Sequence, residues 1–293
     1  MNKLRFVAAL FLILLCVALP ASAQIVIRQP VAPHGVARVI LISLDGTRPD
    51  AIQQANAPVL QGLAAGGAVD WHATTVDPSV TLPAHTSMLT GLSVAEHGVT
   101  YNSTPLNCPP IVPLTFLAVA ADNQLSAAIV AGKEKFCIFN QRLTVNYTFA
   151  TAGDSSVVDR VIQLLPTTQV IFAHFPNPDM FGHATGWMSP TYIAELHNTD
   201  TQVGRIITTL TNLNLLSQTL VIITADHGGH DFGHGTTMPE DMTIPWIAYG
   251  AGIKPGTVLT GIRNADSAAT ILWALGLPEP NSQASRPIIE AFR

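Results

Sequence analysis

Five short runs of β-prone apolar residues recur along the chain: Val39 to Leu44 (VILISL), Leu125 to Val130, Val170 to Phe175 (VIFAHF), Leu220 to Ala225 (LVIITA) and Ile244 to Tyr249. Each is apolar on both sides, so each reads as a strand buried on two faces, as in a sheet covered by helices above and below. Helically spaced apolar positions lie between them in Pro49 to Ala65, Leu114 to Ala121, Ser155 to Leu165, Thr191 to Leu213 and Ala265 to Leu275, and Ser189-Pro190 is a good helix start. The alternation predicts one α/β domain with a mostly parallel central sheet and helices on both faces, not a strand-only sandwich. No internal repeat or low-complexity linker interrupts it.

Composition narrows the function classes. Of 293 residues, 48% are apolar and only 11% charged, against a usual charged share of about 25%, which excludes a polyelectrolyte tail, a coiled coil or a disordered linker. A formal charge of -5 without any Lys/Arg cluster removes the footprint of a general nucleic-acid binder.

The first residues read as an address. Lys3 and Arg5 precede an uncharged run from Phe6 to Leu19, and Ala21-Ser22-Ala23 has the small-x-small form that signal peptidase cuts. The run of about 14 residues is shorter than the roughly 20 that span a bilayer. We therefore expect a signal peptide at 1–23, one domain at 24–293, and an exported protein, periplasmic or secreted, with no membrane attachment after cleavage. Losing Lys3 and Arg5 takes the net charge from -5 to -7. A lipoprotein reading of Cys16 is disfavoured by Leu14-Leu15 ahead of it. Cys108 and Cys137 remain, either bridged, for roughly 3 kcal/mol, or as two buried thiols. Without a C-x-x-C pair, a cysteine-based zinc or redox site is not expected.

Three strands run directly into acidic or histidine residues: Asp45-Gly46 after the first, Pro176-Asn177-Pro178-Asp179 after the third, and Asp226-His227-Gly228-Gly229 after the fourth. Ligands of open α/β sheets bind at the carboxyl ends of strands, so these carboxylates can converge. Singly, each reads equally as a turn. Asp179 and His183 are four apart and share one face of any helix there. His234 stands in Gly233-His234-Gly235, with His230 a competitor for the same role. Three aspartates and three histidines suit a pair of divalent ions with positions left open for substrate. Thr81 lies in Pro78-Ser79-Val80-Thr81-Leu82-Pro83-Ala84-His85, where Pro83 favours a helix's first turn. Its hydroxyl would then sit where backbone N–H groups favour a phosphoryl group; the plainer reading is that Thr81 or Ser79 caps the helix. No G-x-S-x-G, G-x-G-x-x-G or Walker pattern occurs.

Asp45-Gly46, Thr81-Leu82-Pro83-Ala84-His85, Glu96-His97-Gly98 leading to Asn102, Asp179 to His183, Asp226-His227-Gly228 and His234-Gly235, in that order, resemble the type I phosphodiesterase/nucleotide pyrophosphatase branch of the alkaline phosphatase superfamily. The resemblance spans about Val39 to Pro255. It implies an alkaline-phosphatase-like fold and two zinc ions, with manganese conceivable on the same donors. One ion would be held by Asp45, Asp226 and His227 and would activate Thr81; the other would be held by Asp179, His183 and His234. His234 is preferred to His230 because the family places its last ligand in a His-Gly step ahead of a strand. Thr81 would be the nucleophile and would form a phosphothreonine. Asn102 matches the family's asparagine that hydrogen-bonds a nonbridging phosphoryl oxygen, although alone it also reads as a turn residue or as the asparagine of an Asn102-Ser103-Thr104 glycosylation sequon.

Three departures bear on the substrate. Leu82 stands where nucleotide-hydrolysing members often carry an aromatic residue for the base. Only six residues separate His227 from His234, so the cap should be small. Lys133 and Lys135 resemble the Lys-x-Lys or Lys-x-Arg step with which some superfamily members bind a substrate carboxylate or extra phosphate oxygens; otherwise they are surface lysines. The expectation is a phosphodiesterase acting on a small phosphate ester. A phosphomonoesterase or phosphonoacetate-type hydrolase is the alternative on the same scaffold, and a metal-holding module without turnover is the non-enzymatic one. A sulfatase is disfavoured because Thr81 cannot be converted as those relatives' cysteine or serine is.

Overall fold

β-Branched residues and leucines make up most of Arg38–Leu44 (RVILISL), and successive side chains of this strand enter opposite apolar layers. Val39 and Leu41 join one buried cluster; Ile40, Ile42 and Leu44 join another. The computed structural model describes residues 35–281 and 285–293. The expected signal segment, with Lys3, Arg5, Cys16 and the cleavage point after Ala23, lies outside the described residues.

The strands are β1 (Arg38–Leu44), β2 (Ala68–Thr74), β3 (Ala127–Ala131), β4 (Val145–Phe149), β5 (Val170–Phe175), β6 (Thr219–Thr224), β7 (Thr243–Gly250) and β8 (Thr257–Val258). The α-helices are α1 (Pro49–Gln54), α2 (Pro58–Gly66), α3 (Thr81–Thr90), α4 (Val94–His97), α5 (Phe116–Asp122), α6 (Gly153–Leu164), α7 (Asn177–Thr185), α8 (Pro190–Asn212), α9 (Pro239–Met242) and α10 (Asp266–Leu275). One sheet runs in the order β4-β3-β5-β1-β6-β7-β2-β8. Its first five strands are parallel, whereas β7 is antiparallel to both β6 and β2. Helices α3, α5 and α10 pack on one face, and α1, α2, α6 and α8 on the other. This is the mostly parallel, alkaline-phosphatase-like α/β fold expected. Among the described residues no helix is long and apolar enough to cross a membrane.

The parallel order positions the chemistry. Leu44 pairs with Phe175, Ser43 with Thr224, and Ala131 with His174, so β3, β5, β1 and β6 finish side by side. Asp45, the Pro176-to-Asp179 segment, Asp226-His227 and Gly132-Lys133 leave the sheet at one edge.

Some elements differ from the sequence reading. Pro49 to Ala65, expected as one helix, divides into α1 and α2: Asn56 is left-handed (φ 47°) and Ala57, ahead of Pro58, is not helical. β2 and β4 were not expected, because β2 carries Asp70 and His72 and β4 is a partly exposed edge strand. Cys108 and Cys137 form a disulfide with Cα atoms 5.9 Å apart, which decides the open pairing.

Candidate active site

Helix α3 begins at Thr81, after Val80 in extended conformation, and all ten of its residues are buried. No side chain caps it. The Ser79 hydroxyl instead donates to the Thr236 carbonyl (2.7 Å), and the Leu82 N–H in the first turn donates to Asn102 Oδ1 (3.0 Å). One turn on, His85 Nδ1–H donates to the Thr81 carbonyl and its Nε2 accepts from the Ser43 hydroxyl, both at 2.8 Å. The Thr81 main chain is thus tied to β1 through an imidazole.

The sheet edge brings the three aspartates together. Asp45 Oδ2 accepts from His174 Nε2–H (2.8 Å) and pairs with Lys133 Nζ (2.6 Å). Asp226 Oδ1 accepts the Gly46 N–H (3.1 Å). Asp179 Oδ2 lies 2.5 Å from Lys133 Nζ. Gly46 is left-handed (φ +68°), and a Cβ there would stand 2.9 Å from Asp179 Cα; glycine lets β1 and α7 approach this closely.

The histidines supply the telling geometry. His227 Nδ1 lies 2.8 Å from the Gly228 carbonyl oxygen, His234 Nδ1 2.9 Å from that of Ser79, and His183 Nδ1 3.0 Å from that of Phe232. A carbonyl only accepts, so each Nδ1 carries the proton, and in the neutral ring each Nε2 presents a lone pair. His227 Nε2 stands 3.4 Å from Asp45 Oδ1 and 3.3 Å from Asp226 Oδ2. His183 and His234 Nε2 stand 3.4 and 3.5 Å from Asp179 Oδ1. Acceptors therefore face acceptors. Asp45 Oδ1, Asp179 Oδ1, Asp226 Oδ2 and His227 Nε2 are buried without a hydrogen-bond partner. Buried polar atoms left in that state are costly, and a cation between them removes the cost. Ligand atoms of Asp179, His183 and His234 lie within 4.8 Å of one another, as do those of Asp45, Asp179 and His227. The residues present fit divalent ions.

Electrostatics follow the same layout. Burial alone would raise Asp45, yet the Lys133 ammonium and the His174 hydrogen bond hold it well below the usual carboxylate range. Asp179 is also lowered: burial and the charge of Asp45 would raise it, but Lys133, the His183 contact and His227 together outweigh them. Burial works against the charge of Lys133, but the three aspartates around it raise its pKa. Burial, reinforced by His227, pushes His234 down to about 4, a neutral ring. The more exposed His183 is raised by its contact with Asp179.

Lys133 thus sits among the carboxylates. Lys135 Nζ donates to Asn102 Oδ1 (2.9 Å) and to the Asn102 carbonyl (3.1 Å). His230 is turned away: its Nδ1 lies 2.7 Å from Asp241 Oδ1. The six residues between His227 and His234 make a tight turn in which His230 and Gly233 exchange backbone hydrogen bonds of 2.9 Å. Leu82 is fully buried and offers no surface to a base.

Five positioning side chains escaped the sequence reading. His174 and Ser43 are polar residues inside otherwise apolar strands, and that anomaly was the available signal. His85 lies one helical turn after Thr81, within the motif itself. Trp187 Nε1–H and Tyr192 O–H both donate to the Gly46 carbonyl at 2.9 Å, securing the turn after Asp45.

The sequence model of the type I phosphodiesterase/nucleotide pyrophosphatase family matches residues 39–105 and 124–240. The 2,3-bisphosphoglycerate-independent phosphoglycerate mutase of Synechococcus elongatus is 29% identical over 138 residues, 41% of this chain and 24% of that protein. Its namesake from Thermomicrobium roseum is 32% identical over 146 residues, 46% of this chain and 27% of the relative. The chain spans about a quarter of the length of these curated relatives. Among solved structures, murine ectonucleotide pyrophosphatase/phosphodiesterase 5 shares the fold with a TM-score of 0.72 at 15% identity, covering 83% of this chain and 96% of that one. An inactive form of the same murine protein, in complex with AMP, gives 0.71 at 14% identity with the same coverage.

Proposed function

Because this chain belongs to the type I phosphodiesterase/nucleotide pyrophosphatase family, we propose that it is a metal-dependent phosphoric ester hydrolase, a phosphodiesterase acting through a phosphothreonine on Thr81. The observation that carries this is the convergence of three imidazole Nε2 atoms on carboxylate oxygens, four of these atoms buried and partnerless, at the sheet edge to which Thr81 is tied. Asp45, Asp226 and His227 would hold one ion and Asp179, His183 and His234 the other. Carboxylate oxygen with neutral imidazole suits zinc, with manganese the second choice. Such ions, when bound, supply positive charge that makes a hydroxyl a competent nucleophile and offsets charge on a departing oxygen.

The chain's own residues do the rest. Thr81 Oγ1 gives up its proton and forms the bond to phosphorus as the bond to the leaving oxygen breaks, and the leaving oxygen takes up a proton; a water oxygen then attacks phosphorus, the Thr81 Oγ1–P bond breaks, and a proton from that water returns to Thr81. Asn102, its Oδ1 occupied by two donors, has its NH₂ left to donate to a nonbridging oxygen. His85 and Ser43 keep the Thr81 backbone in place. One observation favours a second reading, a phosphomonoesterase or phosphonate hydrolase: two lysines follow β3 directly into the site, and ammonium groups benefit a dianion more than a monoanionic diester. We place the protein outside the cytoplasm, on the strength of residues 1–23 and the disulfide.

A panel of p-nitrophenyl diesters, monoesters and phosphonates, assayed after EDTA treatment and zinc restoration, tests metal and reaction class together. Turnover that vanishes with EDTA and returns with zinc is expected. Thr81→Ala should lose nearly all turnover while retaining bound metal; an active Thr81→Ala protein would overturn the nucleophile assignment.

A further inference from the structure

The segment from Gly98 to Thr115, which carries Asn102, contains neither helix nor strand. Besides the Leu82 N–H on Asn102 Oδ1 and the Asn281 amide on the Leu114 carbonyl, several of its ties run to one short stretch, the 3₁₀ turn Glu134–Phe139 and the residues just after it. Cys108 is bonded to Cys137, the Ile111 N–H donates to the Ile138 carbonyl (3.0 Å), and Gln141 Nε2 donates to the Ile111 and Pro113 carbonyls (2.9 and 2.6 Å). At Asn102 itself the tie is Lys135, whose ammonium binds main chain and side chain together.

An asparagine carboxamide has two faces of opposite character, and rotation by half a turn exchanges acceptor for donor. Lys135 Nζ and the Leu82 N–H are both donors, so the atom they share is the oxygen. The flipped amide would place NH₂ against an ammonium and an N–H, losing two hydrogen bonds, and would turn Oδ1 toward an anionic substrate. We propose that Lys135 is a positioning residue: it fixes the orientation of the Asn102 carboxamide and acts on the reaction through it, not by touching the substrate. The proposal rests on the reading of Asn102 as a phosphoryl-oxygen donor.

The test is a double-mutant cycle with a parallel measurement that needs no turnover. Steady-state kinetics on the best p-nitrophenyl ester are compared for wild type, Lys135→Met, Asn102→Ala and the double variant, with circular dichroism confirming that each is folded. Lys135→Met should lower kcat about tenfold or more with less effect on KM, Lys135→Arg should recover most of the loss, and the double variant should be no slower than Asn102→Ala. Independent, multiplying losses would overturn the proposal, because a lysine that contacts substrate keeps its value when Asn102 is gone. In protein labelled with ¹⁵N-asparagine, the side-chain NH₂ pair that disappears in Asn102→Ala should shift or broaden in Lys135→Met. An unchanged pair would also overturn the proposal, whether or not the protein is active. A wild type that hydrolyses no phosphate ester would sink the functional reading alone, leaving the spectrum to decide the role of Lys135.

Discussion

His174 Nε2 donates to Asp45 Oδ2 at 2.8 Å while its Nδ1 accepts the Gly132 N–H at 3.1 Å, so one buried imidazole links the ends of β1, β3 and β5. Burial holds the ring neutral, near pKa 4, against the pull of Asp45. The hydrogen bond leaves Asp45 Oδ1 as the partnerless oxygen facing His227. Outer partners of this kind orient metal ligands, and their loss commonly costs about ten- to a hundredfold in affinity. His174→Phe, which keeps an aromatic ring against Phe136 and removes both nitrogens, should weaken zinc binding by that factor in competition with a chromophoric chelator. Unaltered affinity would show that Asp45 needs no orienting partner.

Lys133 occupies the same carboxylate cluster and has a different consequence. Its ammonium stands within 2.6 Å of Asp45 and 2.5 Å of Asp179, both buried. Removing one partner from such a group leaves uncompensated charge and costs about 3 kcal/mol or more. In EDTA-treated protein, Lys133→Met should therefore melt well below wild type. Adding zinc should narrow the gap, because ions at the same carboxylates then supply the missing positive charge. A gap equal with and without zinc, in differential scanning calorimetry, would count against a shared site.

How much of this was legible in the sequence follows from where each residue's partners lie. β1, β5 and β6 declared themselves because apolar runs buried on both faces need no partner to be recognised, and Asp45, Asp179 and Asp226 followed as the residues just beyond them. The Asp179–His183 spacing was local too, within two turns of α7. The break at Asn56 was missed because apolar periodicity continues across it while the backbone does not. His174 was missed because its partner Asp45 lies 129 positions away, and the Lys135–Asn102 contact was not foreseen because it spans 33 positions that no spacing rule covers.

Asp154 provides a pH test away from the proposed ligands. Its carboxylate accepts from the Asn177 N–H (3.0 Å) and the Thr199 hydroxyl (2.7 Å), anchoring the start of α7. Burial raises its pKa from 3.8 to about 7, with the Thr199 and Asn177 hydrogen bonds opposing and Glu195 adding to the rise. A carboxyl with a higher pKa folded than unfolded holds its proton more tightly in the folded chain, so its contribution to stability falls as pH climbs between those two values. Asp154→Asn, whose Oδ1 can still accept the Asn177 N–H while its NH₂ donates to Thr199 Oγ1, should gain on wild type across that interval by about 1–4 kcal/mol. Urea midpoints from pH 4.5 to 7.5 measure the difference, and a pH-independent difference would exclude a titrating Asp154.

The disulfide should matter to activity as well as to stability. It closes a 29-residue separation, for which loop entropy alone gives roughly 3–4 kcal/mol. Cys137 lies two residues after Lys135, and Cys108 lies in the same irregular segment as Asn102, so the bond holds the two halves of the Lys135–Asn102 contact at one separation. Opening it lets the Asn102 segment drift, and a displacement of about 1 Å at a group that orients substrate can cost a hundredfold in rate. The paired Cys108→Ser/Cys137→Ser variant should therefore lose kcat at temperatures well below its melting point. That loss should largely disappear in an Asn102→Ala background, where there is no carboxamide left to misplace. Serine replacement is preferable to dithiothreitol, which also binds zinc. Full kcat in the folded serine variant would confine the disulfide to a purely stabilising role.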